Sequence, residues 1–307
     1  MPLRNLLPAS FLSGLRCLLI ATVTIVLTSH LAFAQGACNP KTYKFITLRA
    51  PFPGTEQTLA FGINDLGVVV GEYDTLTGEH AFLLQDGKYT SFDVPLPGAV
   101  DTAATGINIL GQVVGNYTAK GITHGFLKNG GTFLTLDYPA PNVVYTFPRA
   151  VNALGQIVGF YYVGTQSHAF LYQAGQYFNI DVPFAASCCS VALGINDRGE
   201  IVGAYTDNTN SRILGFARSA TGTFVSVALP FPGGALETQA YGISNGQNIV
   251  GGGFLYEADT FIPLGNLNPQ AANAVGIGIN DLGEITGILN GIPGDPSGEA
   301  GFLMIPQ

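Results

Sequence analysis

The chain has 307 residues, of which 47% are hydrophobic and 10% are charged, and its formal net charge is −8 at pH 7. An acidic chain without basic clusters lacks the surface that attracts phosphates, so neither nucleic acid nor a membrane surface is an expected partner. The 41 glycines, 18 prolines and 20 phenylalanines are typical of an all-β protein with many turns and a large core.

The first 34 residues predict a signal peptide. Two arginines precede an apolar run from 17 to 28, and Ala32-Phe33-Ala34 has the small-x-small form of a signal peptidase site. Cleavage is expected before Gln35, which leaves one mature domain, 35–307, in the periplasm or outside the cell. The run is shorter than the roughly 20 residues that cross a bilayer, so a retained anchor is the weaker alternative. A lipoprotein at Cys38 is weaker still, because Gln35 stands where an aliphatic residue is required.

From residue 62 onward the chain repeats one phrase six times. The copies are GINDLGVVVGEY at 62, GINILGQVVGNY at 106, AVNALGQIVGFY at 150, GINDRGEIVGAY at 194, GISNGQNIVGGG at 242 and GINDLGEITGIL at 278. They are spaced by 44, 44, 44, 48 and 36 residues, and a phrase built on phenylalanine follows each. Such regularity indicates a repeat architecture.

Each repeat is interpreted as four short antiparallel strands. In the first repeat, TLAFGI ends at an Asn-Asp-Leu-Gly turn, VVVGEY follows, and HAFLL and YTSFDV flank the hairpin turn Asp86-Gly87. Four strands in about 45 residues is the content of a propeller blade, so we expect a six-bladed β-propeller. The glycine of each VVG-like phrase is expected to let a neighbouring sheet come close.

The two ends of the repeat region complement each other. YKFITLRAPFPG, from 43 to 54, resembles the closing strand of a repeat, whereas the last repeat stops at EAGFLMIPQ without one. We therefore expect the N-terminal strand to complete the sixth blade beside residues 298–305 and to close the ring by main-chain hydrogen bonds.

The GIND-x-G-x-VVG-x-Y phrase, followed by HAF or HGF, resembles the HAF family of extracellular repeats, which occurs in secreted bacterial proteins. The resemblance spans residues 43–305 and is specific in blades 1 to 3. Blades 4 to 6 have Leu214, Gly252 and Ala300 in place of the histidine. The family brings no established catalytic residues, so the resemblance implies secretion and a repeat fold.

Three histidines precede an aspartate by thirteen residues, in blades 1 to 3. A two-residue hairpin turn places each histidine across from its acid, with Cβ atoms about 5 Å apart. The pairs are His80 with Asp93, His124 with Asp137, and His168 with Asp181. Blades 4 to 6 lack both members, as expected if leaving one partner buried and alone costs about 1–3 kcal/mol.

These pairs could also indicate catalytic dyads or a three-histidine metal centre. Each pair lies about 10 Å from the inner strand, at a strand spacing near 4.8 Å, so the three cannot converge on one ion or substrate. We interpret them as structural pairs, and we predict no metal, cofactor or catalytic residue. The Asn-Asp pairs at 64, 196 and 280 lack the alternating acids of a calcium loop and are interpreted as turn residues.

The mature chain keeps Cys38, Cys188 and Cys189. Cys38 precedes the closing strand of blade 6, and the other two are expected in a loop between blades across the ring, so a bridge from Cys38 is not expected. A bridge between the adjacent cysteines and free thiols are both left open.

The leading functional hypothesis is a secreted, noncatalytic, monomeric propeller that binds a carbohydrate, a peptide or an envelope protein at one face. The alternatives are a hydrolase or lyase that uses the mouth of the central channel, and a purely structural envelope protein. The fold class does not separate them, because propellers host unrelated functions.

Candidate ligand-binding residues come from one repeat position. The first strand of each blade is expected to line the channel, and four residues before the GIN glycine a small hydroxyl residue recurs in five blades. The position before it diverges, to Gln57, Asp101, Tyr145, Cys189, Glu237 and Asn273. Divergence suits an asymmetric ligand, although drift of an unconstrained position also produces it. Asp101 and Glu237 are the expected polar anchors, and Tyr145 the stacking surface.

Overall fold

In the computed structural model, six four-stranded antiparallel sheets follow one another along the chain, which confirms the predicted six-bladed propeller. The structure describes residues 41–209, 212–228, 238–291 and 298–307, without the side chains of 187 and 188. The predicted signal peptide, its cleavage site at Gln35 and Cys38 lie outside the described residues. Within the described ranges, no helix has the length and apolar character needed to span a membrane.

Each of the first three blades uses four strands that are consecutive along the chain. Blade 1 contains β2 (Gln57–Ile63), β3 (Val69–Thr75), β4 (Gly78–Gln85) and β5 (Lys88–Phe92). Blade 2 contains β6 (Ala99–Ile107), β7 (Val113–Ala119), β8 (Ile122–Asn129) and β9 (Thr132–Leu136). Blade 3 contains β10 (Val143–Val151), β11 (Ile157–Val163), β12 (Gln166–Gln173) and β13 (Gln176–Ile180).

The later blades are less regular. Blade 4 contains β14 (Ala185–Ile195), β15 (Ile201–Asp207), β16 (Ile213–Arg218) and β17 (Phe224–Val227). Blade 5 contains β18 (Ala240–Ile243), β19 (Ile249–Gly251), β20 (Phe254–Glu257) and β21 (Thr260–Pro263), followed by helix α1 (Leu264–Leu267) and a 3₁₀ turn (Pro269–Ala271). Blade 6 contains β22 (Ala274–Ile279), β23 (Ile285–Asn290) and β24 (Glu299–Pro306).

The fourth strand of blade 6 is β1 (Tyr43–Leu48), from the opposite end of the repeat region. It pairs antiparallel with β24 in an unbroken register that runs from Tyr43 opposite Pro306 to Leu48 opposite Gly301. The prediction that the N-terminal strand closes the ring is therefore confirmed. The pairing joins the first and last blades by main-chain hydrogen bonds and leaves no open edge on β24.

A buried phenylalanine on the third strand forms the centre of each blade. These side chains are at most 2% exposed and occupy positions 82, 126, 170, 216, 254 and 302. Each ring lies over the glycine of the VVG-like phrase in its own blade. A Cβ added to Gly71 would lie 2.8 Å from the Phe82 ring and would overlap the Leu59 carbonyl oxygen. This glycine thus makes room within its own blade, which differs from the expected approach of a neighbouring sheet.

The glycine of the GIN phrase is the one that allows neighbouring blades to approach. A Cβ on Gly106 would lie 2.7 Å from the Arg149 carbonyl oxygen of blade 3, and a Cβ on Gly62 would lie 2.9 Å from the Gly106 Cα. The residue before this glycine is a β-bulge, because the register shifts at this point between the first and second strands of all six blades. The first strands therefore pack backbone to backbone around the axis.

Candidate functional site

The six first strands run in the same direction along the channel, which gives the propeller two distinct ends. They finish at the Asn end, defined by residues 64, 108, 152, 196, 244 and 280, which together line one cavity of about 70 Å³. They begin at the strand-start end, defined by the first residues of these strands and by the turns between second and third strands.

A ring of side-chain hydrogen bonds closes the Asn end. The Asn64 amide nitrogen, Nδ2, donates to the Asn108 carbonyl oxygen of the next blade at 3.0 Å, and the same contact leads from Asn108 to Asn152 at 2.9 Å. It continues from 152 to 196, from 196 to 244 and from 280 to 64, at 3.0 to 3.1 Å. Only blade 5, with Ser244, has no amide to donate. This ring explains the repeated asparagine as a structural contact between blades.

A second set of contacts surrounds the same mouth. The Asp281 main-chain nitrogen donates to Asp65 Oδ1 at 2.8 Å, and Asn245 Nδ2 donates to both Asp281 and Asp197. Burial raises the pKa of Asp65, and repulsion from Asp281 and Asp197 adds to the rise, whereas the Asp281 N–H opposes it. These acids accept hydrogen bonds from main-chain and amide N–H groups of adjacent blades, which agrees with their interpretation as turn residues.

The strand-start end contains the small hydroxyl residues that recur in five blades. Thr58 Oγ1 accepts a hydrogen bond from the Ala50 N–H at 3.0 Å, and Thr102 accepts from the Val94 N–H at 3.2 Å. Thr146 Oγ1 accepts from the Tyr138 N–H at 3.0 Å. Each hydroxyl thus ties the incoming connection to the first strand, as expected for a uniform strand-start position.

Two of the predicted ligand-binding residues contact the preceding blade. Gln57 Nε2 donates to Glu299 Oε2 at 3.1 Å, and the Glu79 N–H donates to Asp101 Oδ1 at a long 3.4 Å. Both partners lie at the start of a third strand. The side chains of Gln57 and Asp101 therefore extend across the gap between blades.

The other members of the predicted ring differ in their surroundings. Tyr145 is 37% exposed and its ring lies 6.3 Å from that of Tyr162. Asn273 is exposed, and Cys189 is half-buried with a φ of 84°. Both adjacent cysteines lie within strand β14, in an irregular segment, and the prediction of an interblade loop was wrong because this first strand begins earlier than the others.

Glu237 lies outside the described residues. None of the five described members lines either of the two channel cavities found in the described part of the chain. The five described members are thus positions on the strand-start end that lie outside these two cavities.

Asp101 is part of an acidic cluster that the repeat alignment missed. Burial raises the pKa of Asp74, and repulsion from Glu56 and Asp101 adds to the rise. Burial likewise raises the pKa of Glu79, with further repulsion from Asp74 and Asp101. One oxygen of Asp74 is buried without a hydrogen-bond partner. We define the acidic cluster as Glu56, Asp74, Glu79 and Asp101. It contains four acids and no basic residue that would balance their negative charge.

Exposed apolar side chains adjoin the acidic cluster on the strand-start end. They lie in the turns and strand starts of blades 1 to 3: Leu76, Leu96, Val100, Ile122, Val144 and Tyr145. Leu76 is 88% exposed and Val100 is 53% exposed. Comparing the turns between second and third strands would have found this set in the sequence, because YDTLTGEH contributes Asp74, Leu76 and Glu79 from one turn.

The histidine–aspartate pairs lie away from the channel. His80 Nδ1 lies 3.0 Å and 3.1 Å from the two Asp93 oxygens, and His124 Nδ1 lies 3.1 Å and 2.9 Å from those of Asp137. Each acid directly follows the fourth strand of the blade that carries the histidine. The Asp93 side chain is 54% exposed, so the contact is worth about 0–1 kcal/mol rather than the larger value of a buried pair.

The third pair is arranged differently. His168 stacks on Tyr161 with ring centroids 5.3 Å apart, as His80 and His124 stack on their own tyrosines. Within the described residues, no hydrogen bond joins His168 to Asp181. The described ranges also contain no group of three or more His, Cys, Asp or Glu residues arranged to hold a metal ion.

No family model and no curated protein sequence matches the chain. Solved structures with a similar fold include the following two. One is described as YCF48 bound to D1 peptide, with a TM-score of 0.42 and 12% identity, and the match covers 90% of this chain and 98% of that chain. The other is the extracellular domain of the hybrid two-component system BT4673 from B. thetaiotaomicron, with a TM-score of 0.39 and 11% identity. That match covers 86% of this chain and 40% of the other.

Proposed function

We propose that the protein is a noncatalytic binding propeller that recognises a basic, apolar segment of another protein at its strand-start end. The observation that carries the proposal is the acidic cluster beside exposed aliphatic side chains in blades 1 to 3. Burial raises the pKa values of Asp74 and Glu79, and a basic segment would offset the repulsion among the acids that adds to this rise. An apolar segment would cover side chains such as Leu76, which are otherwise exposed to water.

A protein segment suits this surface better than a carbohydrate does. Sugars are commonly held by stacking on aromatic rings, and Tyr145 is the one aromatic residue in the exposed apolar set. The other five members are aliphatic, and aliphatic side chains pack well against the apolar side chains of a protein. Electrostatic attraction would act mainly on the association rate and on partner choice.

The proposal places the protein outside the cytoplasm. Its support is the predicted signal peptide together with the resemblance of the repeat phrases to the HAF family. The absence of catalysis is part of the proposal, and its support is that the sequence contains no recognisable convergent set of catalytic residues.

The experiment compares three probes by surface plasmon resonance on the mature protein: a short alternating Lys–Leu peptide, the matched Glu–Leu peptide, and a chitin oligosaccharide. We expect the Lys–Leu peptide to bind, with an affinity that falls as salt rises, because exposed charges are screened. Tyr145→Ala should weaken the binding. Equal binding of both peptides, or binding of the oligosaccharide alone, would contradict the proposal.

A further inference from the structure

The middle of the channel is lined by the six bulge residues, one from each blade. They are Phe61, Thr105, Arg149, Leu193, Tyr241 and Ile277. A bulge re-aims a side chain out of the regular alternation of a strand, which here turns it toward the axis. The cavity they line has a volume of about 80 Å³. Among its lining residues, Arg149 is the only charged one.

Arg149 is held in this cavity by an aromatic ring. Its guanidinium carbon lies 5.9 Å from the centroid of Phe61, two blades away, at the distance of a cation–π contact. Within the described residues, the guanidinium forms no hydrogen bond and no ion pair. Its five N–H donors are therefore all available, in a fixed planar arrangement that suits an oxyanion.

Glu72 is the acid whose charge acts on Arg149, and within the described residues no ion pair joins the two side chains. Burial raises the pKa of Glu72 to about 8, and repulsion from Glu79 and Asp74 adds to the rise, whereas Arg149 opposes it. Glu72 is thus largely protonated at neutral pH. Burial lowers the pKa of Arg149, while Tyr241 and Glu72 oppose that change, and an arginine remains charged. The centre of the channel therefore carries one uncompensated positive charge.

We propose that the channel binds a small oxyanion of the carboxylate class at Arg149, which pairs with it through two parallel N–H···O contacts. A volume of about 80 Å³ admits several water-sized groups and thus an ion such as formate or acetate, while it is too small for a drug-sized ligand. A charge-assisted, bidentate contact is the strong form of this interaction. The proposal does not depend on the partner proposed for the strand-start end.

The neighbouring hydroxyl groups are not available as donors to an anion beside Arg149. Thr105 Oγ1 donates to the Pro148 carbonyl oxygen at 2.8 Å, and the Tyr241 hydroxyl donates to Gln239 Oε1 at 2.8 Å. Their protons are already directed at protein acceptors. A single substitution at Arg149 should therefore remove most of the binding free energy of the carboxylate, so one variant is enough to test the proposal.

The test is calorimetric titration of the mature protein with formate, acetate, phosphate and chloride at constant ionic strength. We expect formate and acetate to bind the unaltered protein more tightly than chloride does. In Arg149→Met the carboxylate affinity should fall about tenfold or more, because a hydrogen bond to a charged group is lost. Arg149→Lys keeps the charge but loses the planar pair of donors, so its affinity should lie between the two.

Arg198→Met serves as the matched control, since Arg198 is exposed in the turn at the Asn end. It should bind carboxylates like the unaltered protein. Absence of carboxylate binding by the unaltered protein, or a smaller loss in Arg149→Met than expected, contradicts the proposal. If Arg149→Met does not fold, Arg149→Lys provides the comparison, and unchanged carboxylate binding in that variant contradicts the proposal equally.

Two sources could supply the carboxylate: a free small anion, or the C-terminus of a peptide that enters from the strand-start end. A dipeptide and its C-terminal amide separate them. Binding of the dipeptide but not of its amide assigns the site to a chain terminus. Binding of formate and acetate without the dipeptide assigns it to a free anion.

Discussion

At the scale of single residues, the repeated asparagine has two functions. Asn152 Oδ1 accepts from the Leu154 and Gln156 N–H groups at 3.1 Å and 2.9 Å, which forms the turn after the first strand. Its Nδ2 donates to the Asn196 carbonyl oxygen of the next blade at 3.0 Å. One side chain therefore shapes a turn and joins two blades, and it is 2% exposed while doing so.

Asn152→Ala should lower the free energy of unfolding by about 3 kcal/mol, because buried main-chain groups in two blades lose their partners. Asn152→Asp keeps the acceptors of the turn but loses the donor to blade 4. Asn152→Ser should be the mildest change, since Ser244 occupies this position in blade 5 and its Oγ accepts from the Asn248 N–H. Urea denaturation measures all three, and a serine variant less stable than the alanine variant would show the assignment to be mistaken.

Glu72 links stability to pH. Its pKa is raised to about 8 in the folded protein, so the folded state retains a proton that the unfolded chain releases above its ordinary pKa of 4.5. The unfolded state then binds fewer protons, and stability falls as pH rises from 4.5 to 8.

Glutamine does not titrate, so Glu72→Gln removes the loss of stability that Glu72 causes as pH rises. The stability of the variant relative to the unaltered protein should therefore rise between pH 5 and pH 8, by no more than about 5 kcal/mol at about 1.4 kcal/mol per pKa unit. Urea denaturation at the two pH values measures the change. A difference that does not vary with pH would argue against a buried, protonated Glu72.

At the scale of strands and blades, close packing requires glycine at some positions and leaves others free to change. A Cβ on Gly159 would overlap the Phe147 carbonyl oxygen and lie 2.9 Å from the Phe170 ring. Gly131, in a hairpin turn, has no atom within 4 Å of an added Cβ and does not adopt the left-handed conformation. The two positions form a matched pair for testing how a blade packs.

Gly159→Ala should destabilise the protein by about 3 kcal/mol or more, because overpacking forces the first and third strands away from the second strand, which carries Gly159. Gly131→Ala should lie within about 0.5 kcal/mol of the unaltered protein, or slightly above it. Thermal or urea unfolding of both variants provides the measurement. Equal stabilities would mean that the Phe170 ring does not lie over Gly159.

Most of the fold could be predicted from the spacing of the repeats, because the Asn-x-x-Gly turn and the strand after it recur along the chain. The bulge before the GIN glycine was not predictable in the same way. A two-residue alternation assigns residue 61 to the same side as residue 59, and only the paired second strand reveals the extra residue. The sequence therefore did not predict that Arg149 and Phe61 line the channel.

The acidic cluster was missed for a different reason. Aligning repeats compares the same position in every blade, whereas Asp74 and Glu79 of blade 1 meet Asp101 of blade 2 from different positions. Contacts between unlike positions of adjacent repeats appear only when the blades are placed side by side.

At the scale of the whole molecule, closure depends on β1. Deletion of residues 38–54 removes this strand and exposes the edge of β24 along its length. We expect loss of cooperative thermal unfolding and not local fraying, because the ring is opened. Lys44→Ala, an exposed change on the same strand, is the control and should melt like the unaltered protein. An unaltered melting temperature after deletion would contradict ring closure.

The central claim is that the propeller recognises its partner at the strand-start end, whereas the Asn end serves the structure. Asp101 and Asp86 test it as a pair, because they lie at opposite ends and have nearly the same φ, 50° and 51°. Asparagine is accepted in that conformation and removes one negative charge in each case. The measurement is the affinity of the alternating Lys–Leu peptide for Asp101→Asn and Asp86→Asn at low salt. We predict a weaker affinity for Asp101→Asn, by about threefold to tenfold, and no change for Asp86→Asn. Equal affinities in the two variants would contradict the claim.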